Sequence, residues 1–530
     1  MNLNNFINNI KKNNKFFYLI IFLFCTYSII ISNLQGIFTY DGYHWGLVAS
    51  SAHDYLNDKI PFKEIFIHYG ILTTIIHSIL YSFTNSVYPI FFFTSIIYAL
   101  SIFFTSLLIK KFTNNNYCYF FLFVTFFFQP FTVFPWHTYL IYFFLSFGLY
   151  LYFNKTYISY FFYGIIIQSV YLISDSFKIC SYLFFASTIY LIYLDNKKKK
   201  YIKYILTFIS GFILPLIIFL GYLYLEGNFE YWIKHDISGI FIELTGGSLF
   251  ILLNNFVIDL LKNFYYKPHY ILFLIINISC ITYIFLFLTK KFNNNDIFYI
   301  SVVSIFLNYL LIFKFETFRL FNSIILGLIV TFYLIYKIKK FQVKQFLILT
   351  LILLTPFSNP FEKGQSNRIF LVESEKEQSF NNSSFKQFKY MKFNNDVWLH
   401  FEELKKIVTS VKENCVNIEK FYNLTSDHYY YLLIGDYFES RQLIPGYDER
   451  VLKDYYDGLT TLDENFYQNI QSDVSQEKAI FIREDINLNK LLIKNKKIDI
   501  DHYNFKSLPY SYYNKLRRVY LPKNCADKIF

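Results

Sequence analysis

The residues of this chain that are equipped for chemistry gather outside its apolar runs. The densest group stands between Asn33 and Gly70, in the stretch FTYDGYHWGLVASSAHDYLNDKIPFKEIFIHYG. Here Asp41 precedes His44 by three residues, and Glu64 precedes His68 by four. Carboxylates and imidazoles are the side chains that take and return protons near neutral pH. Asp41 is placed to cap a helix over the amphipathic stretch Tyr43 to Leu56. His44 falls within reach of the same helical face. A second group suits anions and sugars. Arg319 is the only Arg before residue 358, and its planar guanidinium fits a phosphate better than an ammonium does. Lys178 follows Asp175 and can pair with it or bind phosphate. Trp136 and His137 stand at the end of an apolar run, where an aromatic ring can stack on a sugar or belong to an interfacial belt. Each has a plainer reading: a helix cap for Asp41, a solvated carboxylate for Glu64, structural imidazoles for His44 and His68, and a snorkelling Arg319 paired with Glu316.

The elements that must position these residues are apolar and repeated. The 530-residue chain is 54% hydrophobic and 23% aromatic. Its apolar residues come in blocks of about 17 to 24, the length that crosses roughly 30 Å of hydrocarbon. Lys11, Lys12 and Lys15 precede the run Phe16 to Ser32. No small-residue cleavage site follows, so the run reads as an uncleaved signal-anchor. Further spans read at Val87 to Ile109, Tyr117 to Phe134, Thr138 to Phe153, Thr156 to Ile173, Ile179 to Leu194 and Ile202 to Leu225. The last four read at Tyr270 to Thr289, Ile297 to Phe313, Leu320 to Tyr336 and Gln345 to Phe357. That makes about eleven, within a range of eleven to thirteen.

Charge sets the orientation. The net charge is +12, carried by Lys as the cytoplasmic loops of membrane proteins carry it. With the N-terminus in the cytoplasm, Lys110, Lys111, Lys155, Lys197 to Lys200, Lys290, Lys291 and Lys337 to Lys344 all fall inside. Asp41, Asp54, Asp58, Glu64, Asp175, Glu226, Glu230, Asp236, Glu243 and Glu316 fall outside. This holds when the short run Tyr69 to Phe83, with His77 at its middle, lies in the interface and does not cross. No cluster of Arg and Lys with exposed aromatics marks a nucleic-acid surface. The abundance of Asn, Lys, Ile, Phe and Tyr over Ala, Gly and Arg points to an AT-rich genome, so part of the aromatic content is codon bias.

Past Phe357 the composition turns charged and mixed. Residues 358–530 read as a soluble extracytoplasmic α/β domain, with helical spacing over Asp396 to Asn414 and strand-like runs at Val416 to Tyr422, Ala479 to Ile482 and Arg518 to Leu521. Cys415 and Cys525 can form a disulfide if this domain is periplasmic. Cys25, Cys118, Cys180 and Cys280 lie in apolar runs as packing residues.

The pattern Tyr40-Asp41-Gly42-Tyr43-His44, an acidic residue just beyond the first span, resembles the GT-C superfamily of polytopic membrane glycosyltransferases. That superfamily includes aminoarabinose transferases and protein O-mannosyltransferases. Asn57 to Glu64, followed by His68-Tyr69-Gly70, loosely matches the family's G-x-x-P-Y-x-D/E segment and the turn after it. Asn57 or Asp58 stands where Gly is common, and Tyr69-Gly70 replaces a Pro-rich turn. The resemblance implies a transmembrane domain over residues 1–357 with a catalytic loop at 33–70. It implies inverting transfer of a sugar from a polyprenyl-phosphate donor to a periplasmic glycan, lipid or protein acceptor at a bacterial inner membrane. Asp41 is then the general base, and Glu64 orients the acceptor or binds a cation. His44 and His68 hydrogen-bond phosphate or sugar hydroxyls, and Arg319 holds the lipid phosphate. Trp136, His137 and Lys178 line the same outer rim. A divalent cation is compatible with this reading, but no ligand spacing supports one. Two other readings stand beside it. An O-antigen polymerase or ligase has its large loops later in the chain, and a polyprenyl-linked glycan flippase or transporter places charges at the bilayer midplane.

Overall fold

The computed structural model describes residues 14–38, 40–65, 67, 69–128, 137–174, 177–195, 201–233, 258, 261–262, 268–308, 324–357, 379–425, 427–440, 464–484, 491–493, 496–498, 500–509 and 517–530. Within them the apolar runs become helices. These are α1 (Asn14–Gly36), then α4 (Tyr88–Phe112), α5 (Asn115–Phe128), α6 (His137–Tyr152), α7 (Tyr157–Ile173), α8 (Lys178–Asp195) and α9 (Tyr201–Leu225). The series closes with α10 (Pro268–Leu288), α11 (Asn295–Leu307), α12 (Gly327–Lys337) and α13 (Phe341–Phe357). Between the first two of that series lie α2 (His44–Leu56) and α3 (Ile71–Ser82). Among the described residues four helices, α1, α4, α9 and α10, are long and apolar enough to cross a membrane, by length and composition. The protein is an α-helical polytopic membrane protein with a C-terminal α/β region.

The chain divides into two compact units. The first takes residues 1–34, 92–221 and 244–370 and is helical. Gly164 of α7 and Gly211 of α9 let two backbones meet: a Cβ on either would lie 2.3 Å from the Phe208 carbonyl or 2.0 Å from that of Phe161. Small residues serve such close crossings where lipid offers no hydrophobic drive. Buried hydroxyls join α7, α8 and α11, with Tyr163 Oη 2.6 Å from Tyr299 Oη and Thr188 Oγ1 2.5 Å from the same atom. Polar side chains start the helices: Thr156 accepts from the Ser159 N–H, and Asn294 from the N–H groups of Asp296 and Ile297. Lys155, in the turn before α7, pairs with Asp195 at 2.9 Å and Asp296 at 2.8 Å. Cys118, Cys180 and Cys280 are buried among these helices and Cys25 is half-buried.

The second unit takes residues 35–91, 222–243 and 371–530. Its C-terminal elements are β1 (Ser379–Phe380), β2 (Phe393–Asn394), α14 (Asn395–Asn414), β3 (Lys420–Leu424), α15 (Tyr429–Ile434), β4 (Glu439–Ser440) and α16 (Glu464–Ser475). Then follow β5 (Ala479–Glu484), β6 (Leu491–Ile493), β7 (Lys496–Ile498), β8 (Tyr503–Ser507), β9 (Arg517–Pro522) and α17 (Lys523–Ile529). Five strands form a mixed sheet in the order β4-β3-β5-β9-β8. β3 runs parallel to β4 and β5, while β9 is antiparallel to β5 and β8. Tyr422, Leu424, Ile470, Val474, Phe481, Tyr503 and Tyr520 form a core on this sheet. The sequence expects Val397, Leu399, Leu404, Ile407 and Val411 on the apolar stripe of α14; Val397, Leu404, Ile407 and Val411 are buried there, together with Phe401 and Val408. Leu399, expected on that stripe, is 45% exposed, because Trp398 and His400 turn inward on either side of it. Cys415, just past α14, is disulfide-bonded to Cys525 of α17. The loop that follows α1 belongs to this same unit: α2 packs on α3 and on α15.

Candidate active site

Asp41 begins the turn that starts α2. Its Oδ1 accepts the backbone N–H of Tyr43 at 3.0 Å and of His44 at 2.8 Å. Its carbonyl accepts the N–H of Gly46 at 3.1 Å. Tyr43, not Asp41, is the N-cap of α2; the Asp41 carboxylate, two residues earlier, satisfies the N–H groups of Tyr43 and of the first helical residue. Its other oxygen, Oδ2, lies 2.9 Å from Nδ1 of His44. The Asp41 side chain is 8% exposed and that of His44 is 31% exposed. The three-residue spacing thus joins a buried carboxylate to a partly open imidazole, an arrangement that fixes the tautomer and heading of the ring.

The same turn is latched to the C-terminal part of the unit. The Gly42 carbonyl accepts the His428 N–H at 2.7 Å. Gly42 has no room for a side chain, since a Cβ would lie 2.1 Å from Oδ1 of Asp427. The Tyr40 hydroxyl donates to Oδ2 of Asp427, and the Arg517 guanidinium lies 3.4 Å from the same oxygen. Asp427 and Arg517 are each 1% exposed. Burial raises the pKa of Asp427 above the ordinary carboxylate value. The Arg517 charge, the Tyr40 hydroxyl and the Tyr429 N–H oppose that rise, and the Asp41 charge adds to it. The Tyr429 ring packs on Tyr40 and Phe388, and burial followed by the Asp41 and Asp427 charges pushes its phenol well above the usual range.

At the far end of α2 a second charged cluster ties the loop to β4. Asp54, 1% exposed, pairs with Lys59 at 3.0 Å and His53 Nδ1 at 3.3 Å. His53 Nε2 reaches Asp436 at 3.4 Å, and the Lys59 ammonium donates to the Ser440 carbonyl at 3.0 Å. Burial alone would lower the His53 value, but hydrogen bonds to Asp436 and Asp54 and their charges outweigh it and raise it to about 9. Asp436 moves the other way, lowered first by its hydrogen bond to His53.

Glu64 closes the turn that follows Lys59. Its Oε2 accepts the Ile60 N–H at 2.8 Å, while Asp58 and Phe62 take positive φ angles of 59° and 66°. Of the residues singled out in the sequence, Asp41, His44 and Glu64 lie in the second unit and only Asp41 and His44 touch among the described contacts. His137 opens α6 and Lys178 opens α8, both in the helical unit and both buried. The Lys178 ammonium lies 5.8 Å from the Tyr171 ring centre. His68, Trp136 and Arg319 lie outside the described residues, as does Asp175. Sequence reasoning did not single out Asp427, Arg517, Tyr429 or His53. The one available signal was the run Asp427-His428-Tyr429-Tyr430-Tyr431 beside a strand-like segment, in a chain where Arg is scarce.

As arranged, Asp41 and Glu64 do not make a cation site. Asp41 spends one oxygen on two backbone N–H groups and turns the other to His44, and Glu64 holds the Ile60 N–H. Among the described residues no group of three or more His, Cys, Asp or Glu side chains is arranged to hold a metal ion.

No family model matches the sequence, and no curated protein matches it. Among solved structures the chain is similar to the crystal structure of the Archaeoglobus fulgidus oligosaccharyltransferase in complex with zinc and sulfate. The similarity has 12% sequence identity and a TM-score of 0.47, over 88% of this chain and 67% of that one.

Proposed function

We propose that this protein is an inverting glycosyltransferase that moves one sugar from a polyprenyl-phosphate carrier to a hydroxyl-bearing glycan, lipid or protein acceptor on the outer face of a bacterial inner membrane. The observation that carries the reading is the Asp41–His44 pair. A buried carboxylate, set just beyond the first apolar helix, aims a half-open imidazole 2.9 Å away. Inverting transfer needs one base to take the acceptor's proton and donors to hold the leaving phosphate; it needs no covalent nucleophile. The pair supplies the base. Arg319 and Lys178 are proposed for the phosphate, Trp136, His137 and His68 for the sugar, and Glu64 for holding the turn that faces the acceptor.

The compartment decides the donor class. The Lys distribution puts residues 33–70 and 358–530 outside the cytoplasm, and the Cys415–Cys525 disulfide favours an oxidising space. Nucleotide sugars are absent there, so the sugar must arrive on a lipid, and membrane lipid is part of the substrate's setting. Nucleic acid has no place in this reading.

The test is donor discrimination. The full-length protein in proteoliposomes is offered radiolabelled sugar as polyprenyl phosphate or as nucleoside diphosphate, with a membrane-envelope extract as acceptor. The reading predicts transfer from the lipid-linked donor alone. Transfer from the nucleotide sugar alone overturns it.

A further inference from the structure

We infer that within this site His44 Nε2 takes the acceptor's proton and that Asp41 acts through His44 as its positioning residue. This rests on the glycosyltransferase reading above and changes the role that the position of Asp41 in the sequence suggests.

Three features of the geometry point the same way. Access comes first: the Asp41 side chain is 8% exposed and the His44 side chain 31%, so an acceptor meets the imidazole before the carboxylate. Occupancy is second. Asp41 Oδ1 already accepts two backbone N–H groups that start α2, so a proton or hydroxyl placed there would compete with those donors. The tautomer is third. An ionised carboxylate only accepts hydrogen bonds, so the 2.9 Å contact between Asp41 Oδ2 and His44 Nδ1 requires the hydrogen on Nδ1. Nε2 is then the nitrogen with the lone pair. One effect opposes the assignment: an imidazolium at a helix N-terminus meets the positive end of the dipole. The Asp41 charge, in hydrogen-bond contact with the ring, offsets it, since a charge-assisted hydrogen bond is stronger than a neutral one.

The step balances as follows. The acceptor hydroxyl oxygen forms a bond to the anomeric carbon of the sugar, and the bond from that carbon to the phosphate oxygen breaks. Its electron pair leaves with the polyprenyl phosphate. The hydroxyl proton passes to His44 Nε2, and the resulting imidazolium gives it up to water, or to the departing phosphate, before the next cycle. Asp41 remains a carboxylate throughout, as the orienting carboxylate of a histidine base does.

Two measurements on the full-length protein in lipid decide it. With a radiolabelled polyprenyl-phosphate sugar, His44→Gln should lower kcat by about 100-fold or more and leave the KM for the donor within about threefold. Added imidazole should restore part of the rate, which a merely structural loss would not allow. If His44→Gln keeps more than about a third of the native kcat, the assignment is wrong. ¹⁵N NMR of histidine-labelled protein, with the His44 signal identified by its loss in His44→Gln, should show hydrogen on Nδ1 and a bare Nε2 at neutral pH. Asp41→Asn should move the hydrogen to Nε2. A native Nε2–H tautomer overturns the inference whatever the transfer assay reports. Absence of transfer by the native protein overturns the glycosyltransferase reading, and with it the proton-transfer role of His44, while the tautomer measurement still reports whether Asp41 orients the ring.

Discussion

Asp41, Gly42 and His44 occupy one turn, and each answers to a different constraint. The reach of Asp41 to His44 was legible in the sequence, because a three-residue spacing brings the two side chains to one turn; that Tyr43 and not Asp41 takes the N-cap position was not. What makes Gly42 irreplaceable was not legible, since the oxygen it approaches belongs to Asp427, 385 positions later. Gly42→Ala should therefore displace the turn or Asp427, and lower transfer at least tenfold while leaving the helical content seen by circular dichroism unchanged. Unchanged transfer would mean that the turn relaxes at no cost. At the other end of α2, His53 carries a measurable pH signature. Its folded value of about 9 stands above the ordinary 6.5, so its contribution is fully present below about pH 6.5 and is lost as pH rises through about 9. The shift sets a ceiling of about 3 kcal/mol on that contribution. The groups facing it are Asp54 and Asp436, with Lys59 and Tyr81 beside them. The difference in thermal stability between the native protein and His53→Gln should be largest near pH 6 and close by pH 10. A difference that grows with pH contradicts the assignment.

At the scale of elements, the apolar runs read from the sequence are helical over most of the residues that are described, because an apolar helix satisfies its own backbone inside lipid. The strands β5 and β9 were also foreseen from short β-branched and aromatic runs, and the run expected over Val416 to Tyr422 overlaps β3 only from Lys420 onward. The order of the three in the sheet was not foreseen, because β3 and β5 are adjacent through a crossover of about fifty residues and no local pattern records that pairing. The latch between the α2 turn, the β3–α15 turn and β9 was hidden for the same reason. It rests on the Asp427–Arg517 pair, both groups buried. Removing one partner of a buried pair leaves the other charge uncompensated, at a cost of about 3–5 kcal/mol, whereas replacing both by apolar groups is often close to neutral. Asp427→Ala should thus lower the melting temperature far more than the double variant Asp427→Ala with Arg517→Met. Equal losses would show that the Tyr40 and Tyr429 contacts, and not the ion pair, hold the latch. The disulfide between the end of α14 and α17 spans 110 residues, a loop for which chain entropy predicts about 4–5 kcal/mol. Its reduction should destabilise the second unit by about 2–5 kcal/mol, read as a shift in its unfolding transition under dithiothreitol. No shift would show that the α14 and α17 packing suffices alone.

At the scale of the whole molecule, composition places a break near residue 357, where apolar runs give way to mixed sequence. The compact units follow a different partition. The loop after α1, residues 222–243 and the C-terminal region form one unit, and most of the long apolar helices form the other. Composition sorts residues by the solvent they prefer, while compactness sorts them by what they touch, and only the second brings Asp41 together with Asp427. Through that contact the C-terminal region holds the turn that carries Asp41 and His44. The measurement that bears most directly on the account is transfer of radiolabelled sugar from polyprenyl phosphate by membranes carrying the native protein or Asp41→Asn at equal expression. The account predicts a loss of two orders of magnitude or more, with the protein still folded. Native-level transfer by Asp41→Asn would contradict it and remove both Asp41 and the ring it orients from the mechanism.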